Sequence, residues 1–357
     1  MKPIVLVLGL SMAAAGSVSA QTVPSLAPLV RIGCGECEGP TSFSGIQAVA
    51  IYEGRVYVLV TSEPYVRVFT SDGKLVRAFA RKGQGPGELQ FPFFLGARAG
   101  GELEVFDMTQ RRFTRYDSTG APLGTRLIQG LTTLAVSAPG DSHAFILQTD
   151  FRTTEQPILR VRDGSSEATT LFTLDAEFPK LEPGERARTP ALAANPRGGG
   201  AVGDGIVEYR IRRFDADGRV LGDIVRDIPK LRKSPAELAA EEERAERRRA
   251  QMSAMMQAEG AAARRGAFTP RPDHNHFDIN ALAFDDAGRL WVRTHRGRLE
   301  ATVFDLFDSG GRYVGEVRVP MRVSTYAVHG GLMAGVVVDE DDVPYVQLWK
   351  VSDGGTG

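Results

Sequence analysis

Three short stretches of this chain hold residue types and spacings that could do chemistry. The densest is Asp273-His274-Asn275-His276-Phe277-Asp278-Ile279-Asn280. On an extended strand, alternation puts His274, His276, Asp278 and Asn280 on one side. Two imidazoles, a carboxylate and an amide on one edge could line a polar channel or bind a ligand. With help from elsewhere, His276, Asp278 and Asn280 could also hold a divalent metal. The second stretch is Cys34-Gly35-Glu36-Cys37, the only cysteines in the chain. Glu38 follows where covalent haem attachment would need a histidine, and a redox pair would be expected at a helix N-terminus. A structural disulfide is the leading reading, with zinc held by Cys34, Cys37, His274 and His276 as the alternative. The third is Gly83-Gln84-Gly85-Pro86-Gly87-Glu88. It lacks the Gly-Lys-Ser/Thr ending of a phosphate cradle and reads as a structural turn, with Glu88 a candidate contact for a ligand. No Gly-x-Ser-x-Gly or His-Glu-x-x-His motif occurs. His143, His295 and His329 fall in or beside strands and read as packing or surface residues.

These stretches need a frame to position them, and a repeat supplies it. Gly54-Arg55-Val56-Tyr57-Val58, Gly101-Glu102-Leu103-Glu104-Val105 and Gly288-Arg289-Leu290-Trp291-Val292 each read as a turn entering a strand. A second signal places an aromatic residue four before a turn glycine: Phe69 and Gly73, Tyr116 and Gly120, Phe214 and Gly218, Phe307 and Gly311. Phe69 and Tyr116 are 47 residues apart, and Tyr116 and Phe214 are 98 apart, two units of 49. Phe214 and Phe307 are 93 apart, one unit plus an insertion between residues 229 and 275. Four short strands per unit at this period are the pattern of propeller blades.

The spacing predicts an all-β, six-bladed β-propeller with inner strands beginning near Gln47, Phe93, Thr133, Ala191, Ile279 and Ser324, and a helical insertion between blades 4 and 5. Blade three is the most divergent, with Val161-Arg162-Asp163-Gly164 in place of the aromatic turn. Blade six ends after its third strand, near Val351. The run Arg31-Ile32-Gly33-Cys34-Gly35, with Gly39-Pro40 and Phe43, echoes Arg81-Lys82-Gly83-Gln84-Gly85-Pro86-Gly87 and Phe91. Leu29 to Gly33 is therefore expected to close blade six as its outer strand.

Residues Gln47 to Arg126 and Ile279 to Pro320, above all Arg81 to Leu89 with Pro92, resemble the NHL-type and TolB-like six-bladed propellers. The resemblance implies the fold and leaves function open, because such propellers include lyases, lactonases, sensors and binding scaffolds. It also implies that connections from an outer strand to the next inner strand share the face by which ligands enter the channel. Here these are Cys34 to Pro40, Gly83 to Glu88, Phe178 to Pro190 and the insertion. The matching inner-strand positions Gln47, Thr133 and Ser324 are not acids, so the resemblance to metal-dependent lactonase-type members is incomplete.

The insertion opens with Ser234 as N-cap, Pro235 in the first turn and Glu237 completing a capping box. Glu241, Glu242 and Glu243 precede Arg247, Arg248 and Arg249, which suits the helix dipole and allows a pair between Glu243 and Arg247. Leu238, Ala245, Met252, Met255 and Met256 form only a narrow apolar stripe, so the helix reads as a lid, a docking arm or a solvated spacer.

At the N-terminus, Lys2, the apolar run Ile4 to Leu10 and Val18-Ser19-Ala20 read as a signal peptide over residues 1–20, with the propeller over 21–357. A periplasmic or secreted protein with no permanent membrane span is expected. With 43 Lys and Arg against 44 Asp and Glu, the net charge of −1 offers no field for nucleic acid. The reading favours a scaffold that binds a protein or small ligand at the channel entrance through Glu88, His274, His276, Asp278 and Asn280, with no cofactor expected. The alternative is a lactonase- or lyase-like enzyme with a metal in the channel.

Overall fold

The computed structural model describes residues 23–130, 132–149, 155–162, 165, 167–174, 178, 189–258, 270–297 and 300–353. It consists of six four-stranded antiparallel sheets and one helix. Blade one holds β2 (Ile46–Tyr52), β3 (Arg55–Val60), β4 (Val66–Thr70) and β5 (Leu75–Phe79). Blade two holds β6 (Pro92–Ala97), β7 (Leu103–Asp107), β8 (Arg112–Tyr116) and β9 (Pro122–Leu127). Blade three holds β10 (Thr132–Val136), β11 (His143–Gln148), β12 (Gln156–Arg162) and β13 (Ala168–Leu174). Blade four holds β14 (Ala191–Ala194), β15 (Gly200–Asp204), β16 (Tyr209–Phe214) and β17 (Val220–Arg226). Blade five holds β18 (Leu282–Phe284), β19 (Leu290–Thr294), β20 (Thr302–Phe307) and β21 (Tyr313–Val319). Blade six holds β22 (Val323–His329), β23 (Leu332–Val338) and β24 (Pro344–Ser352), and takes β1 (Ser25–Ile32) as its outer strand.

The closing strand is longer than Leu29 to Gly33. β1 pairs with β24 from Ser25 opposite Ser352 to Ile32 opposite Val346. Ile32 is buried in the seam between blades six and one, and Leu26 packs in the seam between blades five and six. Arg31 adds an ion pair with Asp339 at 2.6 Å. The first strand thus completes the hydrogen-bonding edge that β24 would otherwise leave open.

The core lies in the seams between blades. Phe69, Tyr116, Phe214 and Phe307 are at most 1% exposed. Each meets an aromatic ring edge-on or tilted: Phe69 with Phe43, Tyr116 with Phe79, Phe214 with Phe145, and Phe307 with Tyr209. Burial of each such ring stabilises by about 2–3 kcal/mol. The paired turn glycines Gly73, Gly120, Gly218 and Gly311 all have φ between +84° and +93°, which explains their place in the repeat. In blade three, Asp163 and Gly164 lie outside the described residues.

The helix α1 (Pro235–Ala258) follows β17 and precedes β18. These strands belong to the fourth and fifth blades counted from Ile46, or the fifth and sixth if the sheet containing β1 is counted first. Its capping box is formed: the Glu237 backbone N–H donates to Ser234 Oγ at 3.2 Å, and the Ser234 N–H donates to Glu237 Oε2 at 2.7 Å. Leu238, Glu241 and Ala245 are half-buried along one narrow edge while the residues between them are exposed, apart from Glu237 at the root. Glu243 and Arg247 pair at 3.3 Å. The side chains of Arg248, Arg249, Met252, Met255 and Met256, like residues 1–20, which the sequence reads as a signal peptide, lie outside the described residues.

Five of the six inner strands begin within one residue of the expected positions. The exception is β18, which begins at Leu282 rather than near Ile279. Residues 273–281 do not form a strand, because their backbone is drawn to loops of the neighbouring blade and the insertion. The N–H of His274 donates to Leu231 O at 2.8 Å, and that of His276 to Gly205 O at 2.7 Å. The Ala281 N–H closes a turn onto Asp278 O at 3.1 Å.

Candidate functional site

Loss of the strand separates the four side chains that alternation would have put on one edge. His276 turns into the seam between blades four and five, where its ring meets Tyr209 at 5.8 Å. Burial, with Lys230 nearby, lowers its pKa to about 4, so it is a neutral packing imidazole at neutral pH. Asn280 is exposed and reaches the channel. His274 and Asp278 enter a polar chain at the root of α1.

That chain has four members, and a fifth side chain, Asn275, buttresses its end. Glu237 Oε1 shares a hydrogen bond with His274 Nε2 at 3.0 Å, and the His274 ring stacks on His295 at 5.8 Å. His295 Nε2 shares a hydrogen bond with Asp278 Oδ2 at 2.8 Å. Asn275 Nδ2 donates to Asp278 Oδ1 at 3.2 Å. Burial opposes ionisation of Asp278, but the bond and charge of His295, with Arg293 and Asn275, hold its pKa at about 2. Glu237 is likewise lowered to about 2, first by the Ser234 backbone N–H, then by the Ser234 hydroxyl and His274. The result ties the first turn of the helix to the rim of blade five. His295, read from the sequence as a packing or surface residue, is a central member; its position four residues after the core position Trp291 gave no sign of this.

The channel itself is lined by the inner strands of all six blades and encloses about 210 Å³. Its wall is mostly Ala48, Val49, Leu95, Leu134, Ala193 and Ala327 with their neighbours, and the polar groups that reach it include Gln47, Asn280 and Thr325. Thr133 faces away from this role, sharing a hydrogen bond with Thr149 at 3.0 Å. At the opposite mouth Tyr52 stacks on His329 at 5.6 Å, and the His329 ring lies against the Asp286 carboxylate. The insertion-bearing side is therefore the mouth that combines open polar groups with an apolar interior.

Glu88 is engaged within its own loop. It accepts from the Gly85 N–H at 2.9 Å and from Arg81 Nε at 2.9 Å, and these partners lower its pKa. A side chain at Gly83 would collide with its carboxylate, so the glycines of this loop make room for Glu88. Cys34 and Cys37 are joined in a disulfide, which leaves neither thiolate for zinc. Among the described residues no group of three or more His, Cys, Asp or Glu is placed to hold a metal ion. His276, Asp278 and Asn280 diverge, and Asp278 is committed to His295 and Asn275. No helix among the described residues is long and apolar enough to cross a membrane.

Sequence reasoning also missed Arg293. It stands in a strand that is otherwise buried, Leu290-Trp291-Val292-Arg293-Thr294, and that contrast was the available signal. Two residues earlier on the same strand, Trp291 packs into the seam between blades five and six.

Fold and channel together define a six-bladed β-propeller. Residues 38–175 match a family model described as a 6-bladed beta-propeller. No curated protein matches the sequence. Among solved structures, the chain is similar to a gluconolactonase of Xanthomonas campestris, with 13% identity over 95% of this chain and 94% of that one and a TM-score of 0.51. It is similar to a member of the duf4221 family from Bacteroides vulgatus, with 11% identity over 94% and 100% of the two chains and a TM-score of 0.56. A candidate exported protein from Bacteroides fragilis shares 9% identity over 96% and 98%, with a TM-score of 0.54. At these identities the likeness is one of fold.

Proposed function

We propose that this protein is an exported binding propeller that recognises a small ligand at the channel mouth beside α1. The observation that carries this reading is the polar chain from Glu237 through His274 and His295 to Asp278. A helix with so narrow an apolar edge contributes little to a core, yet its root is held to the rim of blade five, through the hydrogen bond of Glu237 to His274 and the stacking of His274 on His295, rather than left to swing. Such anchoring suits an arm that borders a binding mouth. Export is supported by the N-terminal leader pattern and by the disulfide, which belongs in an oxidising compartment.

Replacing residues 234–269 with a short Gly/Ser linker tests the reading. Ligand capture, measured with small molecules that stabilise the intact protein, is expected to weaken while the ring stays folded. Undiminished capture would show that the arm has no part in binding.

A catalytic reading has one observation in its favour: Asp278 orients the His295 imidazole as a carboxylate orients a general base. A metal-dependent version through His276, Asp278 and Asn280 gains nothing from their divergent directions. Elemental analysis of gently purified protein distinguishes it, since a stoichiometric divalent metal would favour the enzyme.

A further inference from the structure

The channel wall carries no charge. Among the described residues that line it there is no Asp, Glu, Lys, Arg or His, although 24% of the chain is charged. Asp278, two residues before the channel residue Asn280, is held by His295 and Asn275 instead. An ion carried into such a wall would lose its hydration without gaining a counter-charge.

The uncharged polar groups of the wall are unevenly spread. The inner strands of blades five, six and one are neighbours around the ring, and at the insertion-bearing mouth they present Asn280, Thr325 and Gln47. Asn280 is exposed, and the other two are half-buried. None of these three side chains hydrogen-bonds to another described residue. The polar side chains beside them are already engaged. Ser324 Oγ donates to Val336 O at 3.3 Å, and the Tyr326 hydroxyl donates to the carbonyls of Ala281 and Trp291 at 2.8 and 2.9 Å. On the other half of the ring, blades two, three and four line the channel with Phe93, Leu134 and Leu192. Ser137, also in the wall, lies beyond the far end of β10. The mouth therefore has a polar but uncharged arc facing an apolar one.

Resting on the binding role proposed above, we propose that the channel mouth takes a small neutral molecule with an amide-like edge and an apolar body. The edge lies against Asn280, Thr325 and Gln47, and the body against blades two to four. Two carboxamides and a hydroxyl supply donors and acceptors together, which matches a ligand edge that both donates and accepts. An ionised carboxylate only accepts and an ammonium only donates, and neither finds a counter-charge here. The channel's 210 Å³ lies below the ~300 Å³ at which pockets for drug-sized ligands begin, which keeps the ligand small.

Calorimetric titration of the intact protein with benzamide, benzoate and benzylammonium at neutral pH and constant ionic strength tests this ligand class. Benzamide is expected to bind about tenfold more tightly than either ion. Asn280→Leu, at an exposed position, and Thr325→Val, which exchanges a hydroxyl for a methyl group, should each weaken benzamide several-fold with the melting temperature unchanged. Benzoate or benzylammonium binding as tightly as benzamide would overturn the neutral ligand while leaving the mouth a binding site. An unchanged benzamide affinity in both variants would overturn the polar arc. Binding of none of the three probes would overturn the ligand class, whereas the binding role itself fails only if replacing the arm leaves ligand capture undiminished.

Discussion

His274 Nε2 and Glu237 Oε1 lie 3.0 Å apart although 37 residues separate them in the chain. Glu237 closes the capping box at the start of the insertion, and His274 stands where the chain returns to the ring. One carboxylate therefore caps the helix and fastens both ends of the insertion together. The arm is hinged at a fixed point on the rim, and its effects on the ring can be separated from its effects on the mouth.

Glu237→Ala removes the cap and the contact with His274 together. The first turn of α1 should lose local protection. Amide hydrogen exchange should show faster exchange in that turn, with the melting temperature of the ring unchanged. A large fall in melting temperature would mean that the helix belongs to the core.

Removal of the chain through Gly33 exposes the whole edge of β24 and takes Ile32 out of its seam. The melting temperature should fall by many degrees, whereas a protein beginning at Val23 should melt normally. Equal melting of the two would mean that β1 is dispensable to closure.

His276 sets a pH dependence. Its pKa falls from 6.5 to about 4 on folding because burial disfavours the charged ring. Between these values the unfolded state binds more protons than the folded one, so stability should decline as pH falls through that window and level off below it. Urea unfolding at pH 7 and pH 5 should show a smaller decline in His276→Gln than in the parent protein. An equal decline would assign the effect to other groups.

Cys34 and Cys37 close a very short loop. Their replacement by serine should cost less than the ~3 kcal/mol expected of a 15-residue loop. Unreduced, denatured protein should contain essentially no thiol by titration; two reactive thiols would contradict the bond.

Much of this molecule was legible in the sequence because its strongest signals are local and repeated. The aromatic residue four before a positive-φ glycine records a hairpin and a packed sheet face at once, and its 47- to 49-residue spacing counts the blades. Ser234 and Glu237 marked the helix start for the same reason: a cap is satisfied within four residues. The site was less legible because strand alternation holds only where a strand forms. The amides of His274 and His276 found carbonyls at Leu231 and Gly205, and this long-range pairing sent four aligned side chains in different directions. Which carboxylates were already spent was likewise a matter of tertiary neighbours: Glu88 is used by Gly85 and Arg81, and Asp278 by His295. Arg293 shows the limit most plainly. Its presence in an apolar strand is written in the sequence, but that its Nε is buried without a hydrogen-bond partner depends on what the neighbouring strands place around it.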